Sequence, residues 1–454
     1  MIEIYLPDNN LPERRYVIDI LFGEYLGLDY VVKINPEIND YHIRLENNNL
    51  LIIKDHFFSK YKDKLQYLNK KNIPGKILSG HNRFTSEQDM VILFGDDLLS
   101  EDAGKPHKIV CGNDIIAGTF FMLTRWEEFV NKVRDELGRF PATASVAKMY
   151  DFLYRPVVNE YVEFIWNILK HMDCRQKRKQ FAFKPLITHD VDYILRWYSL
   201  VITLKALGAD LIKKHNFRYF SRDLADYLDC LSNKKKDPFD TFDYLMQLSE
   251  ENGMKSYFFF MSMHKMKHLK YYKLSHPMIK PLMDKIINRG HFIGFHPGFN
   301  TYNNAVNWQR EYDYLTRFSP VEINYGRQHF LQFEAPVTWQ IWNDRKMVWD
   351  STLSYHDDTG FRAGTCYPYS TFNFLTGKKL NLAEHPLIIM DKSLVMYNLK
   401  TGYDQILNKA LSLLNTVKKY QGEFTLLWHN NSFNVKEWLP FQDIYTILIN
   451  SCSS

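Results

Sequence analysis

Seven short apolar runs in the second half of the chain lead into polar residues, and this alternation constrains the fold more than any other feature. Phe183–Ile187 runs into Thr188-His189-Asp190-Val191-Asp192, Ser256–Met261 continues the series, and His291–Phe295 stops at His296. Ile323–Gly326 reaches Arg327, Met347–Trp349 reaches Asp350, Pro386–Met390 meets Asp391, and Phe424–Trp428 ends in His429-Asn430. Such runs suit strands buried on both faces. Between most of them lie segments long enough for a helix, which predicts α/β architecture with a parallel sheet or barrel. In such folds reactive groups gather where the strands end. An enzyme is the expected class.

A chain of 454 residues exceeds one ordinary domain, so two are expected. The composition, 45% hydrophobic and 24% charged, is that of a globular protein. A net charge of +5, with no dominant basic cluster, does not point to nucleic acid. Five scattered cysteines without paired spacing suggest free thiols. The segment Met1–Pro7 lacks the features of a secretory signal, and no window carries the roughly 18 consecutive apolar residues of a spanning helix. Cytoplasmic location is the expectation.

Residues 1–173 read as a smaller α/β domain, with strands at Ile2–Leu6, Tyr30–Ile34, His42–Leu45, Leu50–Ile53 and Met90–Phe94. Glu46-Asn47-Asn48-Asn49 signals a hairpin turn. Helices are expected from Asp114 to about Asp135 and over Val157–Met172. The basic stretch 174–182 reads as a linker, and 183–454 as the second domain, with a helical insertion at about 194–240. That insertion is either an extra helical layer or, with Lys205, Lys213, Lys214 and Arg218 nearby, a peripheral membrane contact.

Four clusters could carry chemistry. Asp190 and Asp192, two apart beyond a buried strand, could supply a base and a metal ligand, although D-x-D also caps helices. In Gly290–Thr301, a helix starting at Pro297 would put His296 and Asn300 at i, i+4 on one face, where both could grip a divalent cation. Arg327 could hold a carboxylate ionised. His429 is a candidate general acid, since imidazole titrates near neutrality.

Taken in order, Asp-x-Asp, Gly-His-x-Ile-Gly-x-His, Arg and Leu-x-x-His resemble the polysaccharide deacetylases of carbohydrate esterase family 4, over roughly 183–435. Gly360-Phe361-Arg362-Ala363-Gly364 also fits the likeness. The segment Phe120–Glu128 looks like part of an accessory domain joined to such deacetylases in bacterial surface-glycan contexts. The resemblance implies a distorted (β/α)7 barrel and metal-assisted removal of acetyl groups from N- or O-acetylated sugars. It makes Asp190 the base, Arg327 its orienting partner and His429 the acid, with Asp192, His296 and Asn300 on a metal, usually zinc. Asp391, Asp350 and Arg362 would support them.

The sequence departs from the family in two ways. The adjacent Asp pair is spread into Asp190-Val191-Asp192, and the second metal His is replaced by Asn300. An amide oxygen is the weaker zinc ligand. His264, His268, His329 or His356 could substitute, with nothing in their spacing to choose among them. The expected substrate is an acetylated glycan or a lipid- or nucleotide-linked precursor, with Trp339, Trp342, Trp349 and Tyr367 as stacking surfaces. Two alternatives stay open: hydrolysis of a small non-peptide C–N bond, and a non-catalytic glycan-binding or assembly protein on the same scaffold. The oligomeric state is left unspecified.

Overall fold

A computed structural model describes residues 1–200, 203–204, 207–208, 217–262 and 272–453. The candidate ligands His264 and His268, and much of the proposed membrane-contacting insertion, lie outside the described residues. Among those described, no helix is long and apolar enough to cross a membrane.

The first 113 residues supply eight strands: β1 (Ile2–Leu6), β2 (Tyr30–Ile34), β3 (Tyr41–Arg44), β4 (Leu50–Ile53), β5 (Leu78–Gly80), β6 (Met90–Ile92), β7 (Gly95–Asp102) and β8 (Lys108–Asn113). Six of them form a sheet in the order β2-β1-β3-β4-β8-β7, while β5 and β6 pair separately. In β1 the alternation is direct: Ile2, Ile4 and Leu6 are buried while Glu3 and Tyr5 are half-buried. The expected hairpin joins β3 to β4, and Asn48 takes the left-handed conformation (φ 67°) that asparagine tolerates. The long edge strand β7 was not expected, because GDDLLSED lacks an alternating pattern.

The second sheet contains β9 (Lys184–Val191), β10 (Ser256–Phe260), β11 (Phe292–Phe295), β12 (Tyr325–Gly326), β13 (Trp349–Asp350), β14 (Tyr369–Asn373), β15 (Lys378–Glu384), β16 (Ile389–Met390) and β17 (Glu423–Leu427). Its order among the described residues is β14-β15-β13-β12-β11-β10-β9-β17-β16. Every pairing is parallel except the β14–β15 hairpin, which the seven-run pattern did not contain. Strand β9 runs through the middle, flanked by β10 and β17, and Leu186–Val191 are all buried. A central parallel strand covered on both faces requires that continuous apolar run.

The sheet curls. The chain passes from β15 to β16, opposite ends of the eight parallel strands, between Glu384 and Ile389. Five residue steps reach at most about 18 Å, whereas the same edges of a flat sheet would stand about 33 Å apart. Backbone hydrogen bonds from Leu387 N–H to Leu353 O at 3.1 Å and from Gly360 N–H to Ile388 O at 3.0 Å tie the approach to β16 to the chain beyond β13. Among the described residues no ladder closes the seam. In place of the expected distorted (β/α)7 barrel, the strands form a curled sheet with an open seam. Strand β16 is two residues long, too short to sustain a closing ladder.

The two sheets share one continuous apolar core. The helix expected from Asp114 to about Asp135 breaks at Arg125 (φ 55°) into Ile115–Thr124 and Trp126–Val130, and beyond it the chain is not helical. The break turns Arg125 inward, where it bonds Glu128 (2.9 Å) and Glu127 (3.1 Å). Arg362 of the second domain grips the same Glu128 with two nitrogens, at 2.9 and 2.5 Å. The stretches Phe120–Glu128 and Gly360–Gly364 thus meet. The basic linker is also laid against the first domain: Arg178 pairs with Glu163 at 2.7 Å and Lys179 N–H donates to Leu26 O at 2.7 Å.

The two neighbouring carboxyls titrate in opposite directions. Burial would raise the Glu128 carboxyl, but Arg362 and Arg125 outweigh it and hold it at about 2. Burial dominates at Glu127 and lifts it to about 7 despite Arg125. A depressed carboxyl contributes stability above its unfolded value, near 4.5, and loses it as pH falls toward about 2. Urea unfolding should therefore show stability falling between pH 5 and 2, on the order of 3 kcal/mol from this group. Glu128→Gln should flatten that acid limb. An unchanged limb would remove Glu128 from the account.

Candidate active site

Parallel strands deliver their C-terminal residues to one rim. Asp190 and Asp192 lie at the end of β9, His296 follows β11, Arg327 follows β12, Asp391 follows β16, and His429 stands two residues past β17. Together with His329 these side chains converge, and none is more than 4% exposed. Buried charges persist only when paired or bound to a cation.

The centre is a three-atom cradle. Asp192 Oδ1 is buried without a hydrogen bond and lies 3.5 Å from both His296 Nε2 and His329 Nε2. All three ligand atoms fall within 4.8 Å of one another. Two ligands each about 2.1 Å from a tetrahedral zinc ion stand roughly 3.4 Å apart, so the observed spacing fits a shared ion. His296 Nδ1 is 2.6 Å from Arg327 O, an atom that can only accept. In the neutral ring the proton is therefore on Nδ1, which leaves the Nε2 lone pair facing the cradle.

The electrostatics suit a cation. Burial works to raise the Asp192 carboxyl, but Lys392 and the surrounding imidazoles hold it well below the usual range. Burial pulls His296 down, yet Asp190 and Asp192 outweigh it and raise it. At His329 burial wins over Asp192 and keeps the ring neutral, the form that ligates metals.

Two hydrogen-bonded pairs flank the cradle. Arg327, fully buried, donates from Nη1 to Asp190 Oδ1 (3.0 Å) and Thr188 Oγ1 (2.9 Å). Its remaining nitrogens are fixed by Ser351 O (2.7 Å) and Ser351 Oγ (2.9 Å). Asp190 Oδ2 is left 3.7 Å from His296 Nε2. On the other side, His429 Nδ1 and its backbone N–H each meet the Asp391 carboxylate at 2.8 Å. Its Nε2 then lies 3.7 Å from Asp192 Oδ2. Asp391, the first residue of the helix Asp391–Val395, also accepts the Lys392 N–H at 2.7 Å.

Three expected site residues stand elsewhere. Asn300 is exposed in a turn, with φ 63° and its N–H on Gln332 Oε1 (2.9 Å). No helix starts at Pro297; the next begins at Ala305, so the i, i+4 argument has no helix to act on. The left-handed turn itself explains an asparagine there. Arg362 is the partner of Glu128 described above. Asp350 lies buried beneath the rim, where burial lifts its carboxyl to about 7 beside Glu384. The aromatic residues expected to stack on sugar are core: Trp339, Trp342, Trp349 and Tyr367 are all buried.

His329 was only one of four candidate substitutes in the sequence. It sits in a short turn in which Phe330 (φ 60°) and Leu331 (φ 55°) are both left-handed, a strained path of the kind held at functional sites. No spacing rule announces such a turn.

A cavity of about 390 Å³ opens over the cradle, walled by Phe330, Tyr397, His356 and Lys392, and by Leu137 and Arg139 of the first domain. Tyr397 is exposed and supplies an aromatic face. A larger groove of about 720 Å³ runs between the helix Phe217–Leu231 and the C-terminal segment, but none of the residues above lines it.

Comparison with known proteins gives limited company. A family model described as a family of unknown function (DUF7033) matches residues 2–173. No curated protein matches the chain. A crystal structure from Mycobacterium smegmatis, designated "putative polysaccharide deacetylase", is similar with a TM-score of 0.38 and 13% identity, over 61% of this chain and 85% of that one. Likeness at that level leaves the chemistry to be read from this chain's own geometry.

Proposed function

We propose that the protein is a metal-dependent hydrolase that removes acetyl groups from an N- or O-acetylated sugar, either a glycan or a lipid- or nucleotide-linked precursor. The observation that carries this reading is the convergence of Asp192 Oδ1, His296 Nε2 and His329 Nε2 between an Arg-held aspartate and an Asp-held histidine. The curled parallel sheet and the order of the site residues agree with a deacetylase barrel whose seam has opened.

Asp192, His296 and His329 would hold a divalent ion, zinc being the best match to one carboxylate and two imidazoles. Such an ion polarises the acetyl carbonyl and acidifies a water. Asp190, aimed by Arg327, takes the proton of the attacking water. His429 gives a proton to the departing amine or alkoxide, and Asp391 stabilises the imidazolium before that transfer.

Acetate release from N-acetylglucosamine oligosaccharides and O-acetylated sugars is the direct test. Asp190→Asn and His429→Ala should each lower kcat by about 10²- to 10⁴-fold, with metal content and circular dichroism unchanged. Turnover of a small lactam or ureide without acetate would favour the other C–N hydrolase. Metal-free protein that binds glycan and releases nothing would identify a binding protein.

A further inference from the structure

We propose that the substrate carries an anionic group, a carboxylate or a phosphate, near its acetylated position, and that Lys392 and Arg139 bind it. This rests on the deacetylase reading of the same cavity.

Arg139 reaches the cavity from the first domain on a turn built around one carboxylate. Asp135 Oδ1 accepts the N–H groups of Leu137 (3.0 Å) and Arg139 (2.8 Å), and Asp135 N–H donates to Arg139 O (2.9 Å). Gly138 (φ 75°) lets the chain reverse within that loop. The turn is bolted to the second domain by Gln332 Nε2 on Leu137 O (2.8 Å) and by His356 Nε2 beside Asp135 Oδ2 (3.2 Å). The guanidinium itself is held by Asp135 Oδ2 through Nε (2.8 Å) and Nη2 (2.7 Å). Among the described residues Nη1 has no hydrogen bond. Arg139 is thus a pre-positioned cation with one edge to spare.

Lys392 is the second cation of the wall. Its one ion pair among the described residues is with Asp192 Oδ2, at 3.5 Å, and its side chain is 39% exposed. Asp192 is also the carboxylate of the cradle. A metal ion and an ammonium on one carboxylate repel each other. An arriving anion relieves that repulsion. The other wall carboxylate, Asp190, is already committed to Arg327. A metal-loaded cavity therefore has positive charge that a neutral acetylated sugar leaves unanswered. The same arrangement gives the first domain a role in recognition, since it supplies one of the two cations.

The test is calorimetric titration of the purified zinc-loaded protein with three probes: N-acetylglucosamine, N-acetylglucosamine 6-phosphate and N-acetylmuramic acid. The anionic probes should bind at least about tenfold tighter than the neutral one, with the advantage shrinking as salt is raised. Lys392→Gln and Arg139→Gln should each bring the anionic probes toward the neutral probe's affinity. Lys392→Gln stands alone if the Arg139 turn fails to fold. The better of the two anionic probes names the group. Equal binding of all three, or no detectable binding of either anionic probe, overturns the proposal. Acetate assays on the same compounds separate the two readings. Preferential anion binding without acetate release leaves the subsite and removes the deacetylase, while equal turnover of neutral and anionic compounds does the reverse.

Discussion

His329→Ala should strip the protein of its metal and lower acetate release by at least about 100-fold, whereas Asn300→His should change neither. Loss of a supporting contact around a metal already costs about 10- to 100-fold in affinity, and in the proposed site His329 would supply one of three ligand atoms. The cradle cannot recruit a replacement easily, because Asp190 is committed to Arg327 and His429 to Asp391. Asn300 is exposed and held by Gln332, so an imidazole there would sit outside the cavity. Elemental analysis of the two variants beside wild type decides the matter. Metal retained in His329→Ala, or gained in Asn300→His, would return the third ligand to the position that the sequence suggested.

Arg362→Ala should destabilise the fold by about 3–5 kcal/mol, the usual cost of stranding one member of a buried ion pair. Glu128 is 1% exposed and would keep only Arg125. The variant also loses the bond from Arg362 to Ser354 O (2.5 Å) and the guanidinium's packing over Tyr355 and Phe333. Because the two sheets share one core, unfolding should remain a single transition, earlier in urea but not split. Replacing both partners, as in Glu128→Leu with Arg362→Met, should recover part of the loss, since an apolar pair leaves no orphaned charge. A loss below about 1 kcal/mol, or separate transitions for the two halves, would show that the anchor does not join them.

Parts of the architecture were legible in the sequence because they are local. The alternation in Ile2–Leu6, the asparagine turn before Leu50 and the apolar run ending at Asp190 each announce a strand or turn by side-chain period alone. The break at Arg125 was not legible, since nothing in Thr124-Arg125-Trp126 forbids a helix. There Arg125 turns in to Glu127 and Glu128, and Glu128 is shared with Arg362, 237 residues after Arg125. The β14–β15 hairpin, a local element at the edge of the sheet, was also missed.

The order of polar residues at strand ends was set by sequence alone. A parallel sheet gathers such ends on one rim whatever the details, so the order of the apolar runs suffices to group Asp190, Asp192, His296, Arg327 and His429. Tertiary structure decided the third ligand position. His329 reaches the cradle from beside β12 through two left-handed residues, and Asn300 turns away through another. Those angles cost conformational energy that only surrounding contacts can supply. Long-range packing also brought Arg139 to the cavity wall and locked Arg362 to Glu128, because both join segments that no local period connects.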